Sequence, residues 1–116
     1  YFEAHNKLGV TFIDLNQYED AIEHLEWAVA YKYDFAVAHN NLGVANRELG
    51  QIKNAAKNFE KAININPIYT LAHLNLGIAL EDLGQKDDAV KCFEQVLSIE
   101  PDHSLAHEKI KELSSD

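Results

Sequence analysis

The sequence predicts an all-α superhelix of stacked antiparallel helix pairs, and three observations predict it. Gly9, Gly43 and Gly77 stand 34 residues apart, as do Ala21, Ala55 and Ala89. Apolar residues between them recur three and four positions apart, the period of an amphipathic helix, without the alternation a strand requires. Each first helical run stops at a residue able to turn the chain: Asn16, Gly50 and Gly84. A fixed period of this length marks helix pairs that stack, because one pair alone cannot bury both of its faces.

The first unit covers about residues 2–35. Phe2, His5, Leu8, Gly9, Phe12 and Ile13 share one helical face, and Asn16 tolerates the left-handed conformation that ends many helices. A second helix follows from Tyr18, with Ala21, Ile22, Leu25, Ala28 and Val29 as its apolar stripe. The second unit, 36–69, repeats the plan with Leu42, Gly43 and Leu49, then Ala55, Phe59 and Ala62, and Pro67 closes it because proline cannot continue the ladder. The third, 70–103, carries Leu74, Leu76, Gly77 and Leu80, then Ala89, Phe93 and Val96, and Pro101. Residues 104–116 begin a fourth unit, with His107 and Ile110 in register. Then Lys111 stands where a glycine would, and the end turns polar, as expected of a single capping helix with a wet outer face. Gly43 and Ala55 are small so that the two helices of a unit can approach closely. One domain of 116 residues is the expectation.

The order His-x-x-Leu-Gly, then Ala-x-x-x-(Leu or Phe), then Pro, at period 34, resembles tetratricopeptide repeats, and the resemblance covers essentially the whole chain. Departures are His5, His39 and His73 in place of the usual Trp, Asn46 in place of the usual Tyr, and Tyr33 in place of the closing Pro of unit one. The resemblance implies a right-handed superhelix whose first helices line a concave groove, and binding of a peptide or protein segment there without catalysis. Carried onto this chain, the groove positions are Glu3, Asn6, Lys7, Val10, Ile13 and Asp14; Val37, Asn40, Asn41, Val44, Arg47 and Glu48; and Leu71, Leu74, Asn75, Ile78, Glu81 and Asp82. Leu105, Glu108 and Glu112 follow from the cap. An apolar strip with amides in it and carboxylates along one edge suits a ligand with apolar or basic side chains.

Asn41 and Asn75, 34 apart, are expected to stack as a short ladder resembling the one in the repeats of O-GlcNAc transferases, with Lys7 and Lys109 at the flanking places. A side-chain amide can pair both donor and acceptor with peptide backbone. Members of the family that take acidic chaperone tails use a clamp of Lys, Asn, Asn, Lys and Arg. Asn6, Val10, Asn41, Leu71 and Asn75 occupy those places, and only Asn41 fits. The cations that would neutralise a carboxylate are missing, so such tails are not expected as ligands.

Other classes find little support. A formal net charge of −9 argues against nucleic acid, which needs clustered Lys and Arg. No apolar run approaches the ~20 residues of a membrane span. The single cysteine, Cys92, allows no intrachain disulfide and fits a reducing, cytoplasmic setting. It reads as packing beside Phe93 rather than as a nucleophile, and no phosphate loop or nucleophile elbow is present, so neither an enzyme nor a cofactor is expected. His5, His39, His73 and His107 fall in successive units, about 10 Å apart by helix packing distances. That is too far to share a metal at ~2 Å. Trp27 stands where Lys61 and Gln95 stand later, with Tyr31 one turn on: an exposed aromatic pair left by the removal of a preceding repeat, a face for a partner or for self-association, or plain packing of Trp27 over Tyr31. Self-assembly into a homo-oligomer is thus the second expectation. A third is the docking region of a larger enzyme, since the chain starts at Tyr1 inside a helical pattern and contains no Met, as a fragment would.

Overall fold

A computed structural model of the chain describes residues 1–115. They form α1 (Phe2–Asp14), α2 (Tyr18–Tyr31), α3 (Ala36–Glu48), α4 (Ile52–Ile65), α5 (Thr70–Asp82), α6 (Lys86–Ile99) and α7 (Ser104–Ser114), with no strand among the described residues. The helices α1, α3, α5 and α7 start at 2, 36, 70 and 104, so the repeat of the sequence is also the repeat of the chain's path.

The glycines act by close approach. A Cβ placed on Gly43 would lie 2.4 Å from a ring carbon of Phe59, one on Gly77 2.6 Å from Phe93, and one on Gly9 2.5 Å from Leu25. Each first helix therefore receives a large side chain of its partner directly against its backbone. Phe59, Phe93 and Leu25 are almost wholly buried there, each contributing roughly 1.5–3 kcal/mol of apolar transfer free energy. The turns inside each unit are alike. Asn16, Gly50 and Gly84 have φ of 60, 80 and 79°. The next amide, from Gln17, Gln51 or Gln85, donates back to the carbonyl of Phe12, Asn46 or Leu80 at 2.8–2.9 Å, which satisfies a carbonyl the helix end would leave unpaired.

Stacking follows chain order. The helices of each pair pack together, and α2 packs on α3, α4 on α5 and α6 on α7. Ala38, Leu42 and Ala45 of α3 close over Ala21, Leu25 and Ala28 of α2, and Ala79 of α5 over Ala55, Ala56 and Phe59 of α4. Ala106, with half-buried Ile110 and Leu113, lets α7 cover Leu74, Phe93 and Val96. In addition α1 touches α3 and α3 touches α5, so the first helices converge on one side of the stack, which becomes its inner face. The body measures 45 × 25 × 20 Å.

The four histidines in register divide in role. His39, His73 and His107 each place Nε2 2.8 Å from a backbone carbonyl six residues earlier, of Tyr33, Pro67 and Pro101. A carbonyl only accepts, so Nε2 carries the proton and donates, pinning the loop between units to the next helix. His5 instead meets His24, Nδ1 to Nδ1 at 3.2 Å, one donating and one accepting. His103 caps α7, its Nδ1 accepting from the Ala106 amide.

Candidate functional site

Along each first helix, positions four, three and four apart share the inner face. That rule places three rows across the stack. Glu3, Val37, Leu71 and Leu105 form one, Lys7, Asn41, Asn75 and Lys109 the middle one, and Val10, Val44, Ile78 and Glu112 the third. Val10, Val37, Leu71 and Leu105 are exposed and Val44 and Ile78 half-buried, an apolar surface on both sides of a polar row.

Two expected groove residues lie elsewhere. Asn40 is 1% exposed and Leu74 8% exposed, so neither offers surface to a ligand. Leu74 sits in the core with Ala89, Phe93 and Val96 under the capping helix. Asn40 lies beneath the inner face and accepts from Asn75 Nδ2 at 3.1 Å. Its amide also bonds Tyr69, whose hydroxyl burial pushes above the ordinary 10.0 while that bond pulls it down.

The asparagines pair differently from the expected 34-residue ladder. Asn41 Nδ2 donates to Asn6 Oδ1 at 3.0 Å, and Asn75 to Asn40, each across 35 residues. The helices lean so that each amide reaches the preceding row of its neighbour. Asn41 and Asn75 stay half-buried, with one N–H and an oxygen apiece beyond these bonds.

Charges on the inner face pair across units, which sequence reading missed. Arg47 Nε donates to Asp82 at 2.7 Å, and Lys109 Nζ to Glu81 at 3.0 Å. Arg47 and Asp82 are of opposite charge and 35 residues apart, about one period, which was a hint; Lys109 and Glu81, 28 residues apart, gave none. These pairs occupy Arg47 and Lys109, while the carboxylates of Glu3, Asp14, Glu48 and Glu108 remain exposed.

On the outer side, Trp27 is 48% exposed and stacks on Tyr31 with centroids 5.3 Å apart. Near-parallel rings continue through His5 and His24 to Phe12. Cys92 is half-buried, and burial, then the carboxylates of Asp88 and Glu60, push its thiol up to about 11. Its nucleophilic thiolate is correspondingly disfavoured. Among the described residues no three His, Cys, Asp or Glu side chains gather as metal ligands, and no helix is long and apolar enough to cross a membrane.

Comparison with known proteins settles the family. Two family models described as tetratricopeptide repeat match residues 6–70 and 46–113. The chain belongs to the tetratricopeptide repeat family. Domains of this family are interaction modules, and the superhelix of helix pairs is their fold. Among solved structures, MamA superposes with a TM-score of 0.95 at 31% identity, over 98% of this chain and 67% of that one. The second tetratricopeptide domain of human RPAP3, in complex with the HSP70 peptide SGPTIEEVD, gives 0.91 at 26% identity over 97% and 93%. The first such domain of Spaghetti (RPAP3), bound to the HSP90 peptide SRMEEVD, gives 0.96 at 23% identity over 98% and 90%, a likeness of fold alone. A search of curated proteins returns no match.

Proposed function

We propose that this chain is a non-catalytic scaffold whose inner face holds an extended protein segment with apolar and basic side chains. The observation that carries the reading is the pair of apolar rows, Val37, Leu71 and Leu105 on one side and Val10, Val44 and Ile78 on the other, flanking Asn41 and Asn75. A strand of peptide laid along the stack would place its backbone over the amides and alternate side chains over the rows. The charge balance sets the sign of the ligand. With Arg47 and Lys109 held by carboxylates, Lys7 is the inner-face cation with no ion pair among the described residues, facing an excess of Glu and Asp. The RPAP3 domains bind peptides ending in EEVD. Here Val10 and Leu71 stand at places where the family's clamp has polar or cationic groups, and an acidic tail is disfavoured.

The test is fluorescence anisotropy with two labelled peptides, one apolar and lysine-rich, one ending in EEVD. The first is expected to bind more tightly, and Asn41→Ala with Asn75→Ala to weaken it about tenfold, 1.4 kcal/mol, with helical circular dichroism retained. Tighter binding of the acidic peptide would sink the charge argument. Unchanged affinity in the double variant would sink the amide row.

A second reading is self-association through the α1–α2 edge. Ala4, Leu8 and Thr11 are exposed, yet their counterparts Ala38, Leu42 and Ala45 are buried by the helix before them. With Trp27 and Tyr31 beside them, these residues present a surface suited to another helix. Light scattering over a concentration series decides it: self-association predicts a larger species that Trp27→Ala dissolves, and a monomer throughout removes this reading.

A further inference from the structure

The outer side of the stack carries a second concavity, unrelated to the groove. Helices α2, α3 and α4 surround a cleft of about 350 Å³ between units one and two. That volume lies within the ~300–1,000 Å³ of small-molecule sites. Its floor is apolar, Val29 and Leu42. The repeat itself provides the control that makes the rest unusual. Asn46 stands where units one and three have Phe12 and Leu80, Asn58 where they have His24 and Cys92, and Lys61 where they have Trp27 and Gln95. The smaller, polar Asn46 leaves the space that a ring fills in unit one.

These polar groups are fixed in place. Asn58 Nδ2 donates to Asn46 Oδ1 at 2.8 Å and to the Asn54 carbonyl at 3.3 Å, and Asn46 Nδ2 donates to Gln51 at 2.9 Å. Both hydrogens of the Asn58 amide are thereby engaged, and its oxygen is left as an acceptor. His39 lines the same cleft and is 2% exposed. Its Nε2 donates to Tyr33, so Nδ1 is an acceptor, buried and without a partner in the described residues. That nitrogen has under 1 Å² of accessible surface, so the imidazole bounds the cleft as a wall and offers no acceptor to a ligand. Lys57 and Lys61, one helical turn apart, reach the cleft with no ion pair among the described residues, while Glu26 provides a carboxylate on the α2 side. A ligand that satisfies this set has an anionic group for two ammoniums and hydroxyl donors for an amide oxygen and a carboxylate.

We propose that the cleft between α2, α3 and α4 binds a small phosphorylated polyol, its phosphate on Lys57 and Lys61 and its hydroxyls on Asn58 and Glu26. The binding is one site per chain, because the matching place in unit three carries Leu80, Cys92 and Gln95.

The experiment is a nuclear magnetic resonance titration of the whole 116-residue chain with glycerol 1-phosphate, inorganic phosphate, glycerol and triglutamate in separate arms. Glycerol 1-phosphate is expected to move the His39 ring and the Asn46 and Asn58 side-chain amide signals saturably. Phosphate or glycerol alone should bind about tenfold more weakly or worse. Lys57→Ala with Lys61→Ala, both at exposed positions, should weaken binding by about tenfold with helicity unchanged. Asn46→Leu, the residue of unit three, should abolish it by filling the cleft. The proposal is overturned if those signals do not move, or move equally in the lysine variant. It is likewise overturned if phosphate alone binds as well, which would leave a bare anion site, or if triglutamate binds more tightly, which would make the ligand a protein segment.

Discussion

Gly43 shows how much one missing carbon holds in this molecule. Its absent Cβ is the space a Phe59 ring occupies, and that ring is 1% exposed. Gly43→Ala is expected to destabilise the chain by about 1–3 kcal/mol through overpacking. Gly50 differs: nothing lies within 4 Å of its Cβ position, and only its φ of 80° opposes a side chain. Gly50→Ala should cost about 1–2 kcal/mol from the left-handed backbone alone. Urea denaturation checks both, and an unshifted midpoint for Gly43→Ala would mean the ring can move aside. Cys92 gives a pH prediction. Its folded thiol lies above the ordinary 9.0, so the folded state keeps the proton longer than the unfolded chain. Stability from this group is full below about 9 and is lost as pH rises from there through about 11. Iodoacetamide at about pH 8 should accordingly react more slowly with the folded chain than with the chain in urea. Equal rates would contradict the burial seen here.

At the scale of elements, the helix pair is held by ring against backbone and the neighbouring pair by small residues against small residues. Phe59→Ala empties the α3–α4 contact and is expected to cost about 3–5 kcal/mol, read as a lowered urea midpoint. The Arg47–Asp82 bridge between α3 and α5 has side chains 37% and 33% exposed, so it adds little, about 0–1 kcal/mol. Its larger consequence is for binding, since it removes a cation from the inner face. Helix identities and their turns were legible from apolar spacing and from Asn16, Gly50 and Gly84. The burial of Asn40 and Leu74 was not. A position on the edge between groove and core is assigned by how far the next helix leans over it, and α7 leans over Leu74.

For the whole molecule, contacts run almost entirely between sequence neighbours, so stability should be local and transmitted along the stack. Removal of residues 104–116 strips the cover from Leu74, Phe93 and Val96. Hydrogen exchange should then lose protection in α5 and α6 first, with α1 and α2 little changed. Uniform loss in all helices would show a single cooperative unit in place of coupled layers.

The architecture is written in the residues alone, because a 34-residue recurrence of Gly, Ala and Phe or Leu buries every helix when the pairs stack. So are the places where the chain turns and the acidic character of the inner face. Which side chains meet across units is set in three dimensions: Asn41 with Asn6, Asn75 with Asn40, Arg47 with Asp82, Lys109 with Glu81. The fold alone placed Asn46, Asn58, His39, Lys57 and Lys61 around one cleft. Those meetings depend on the tilt of one helix pair against the next, a quantity set by the packing of whole faces and written in no single stretch of residues.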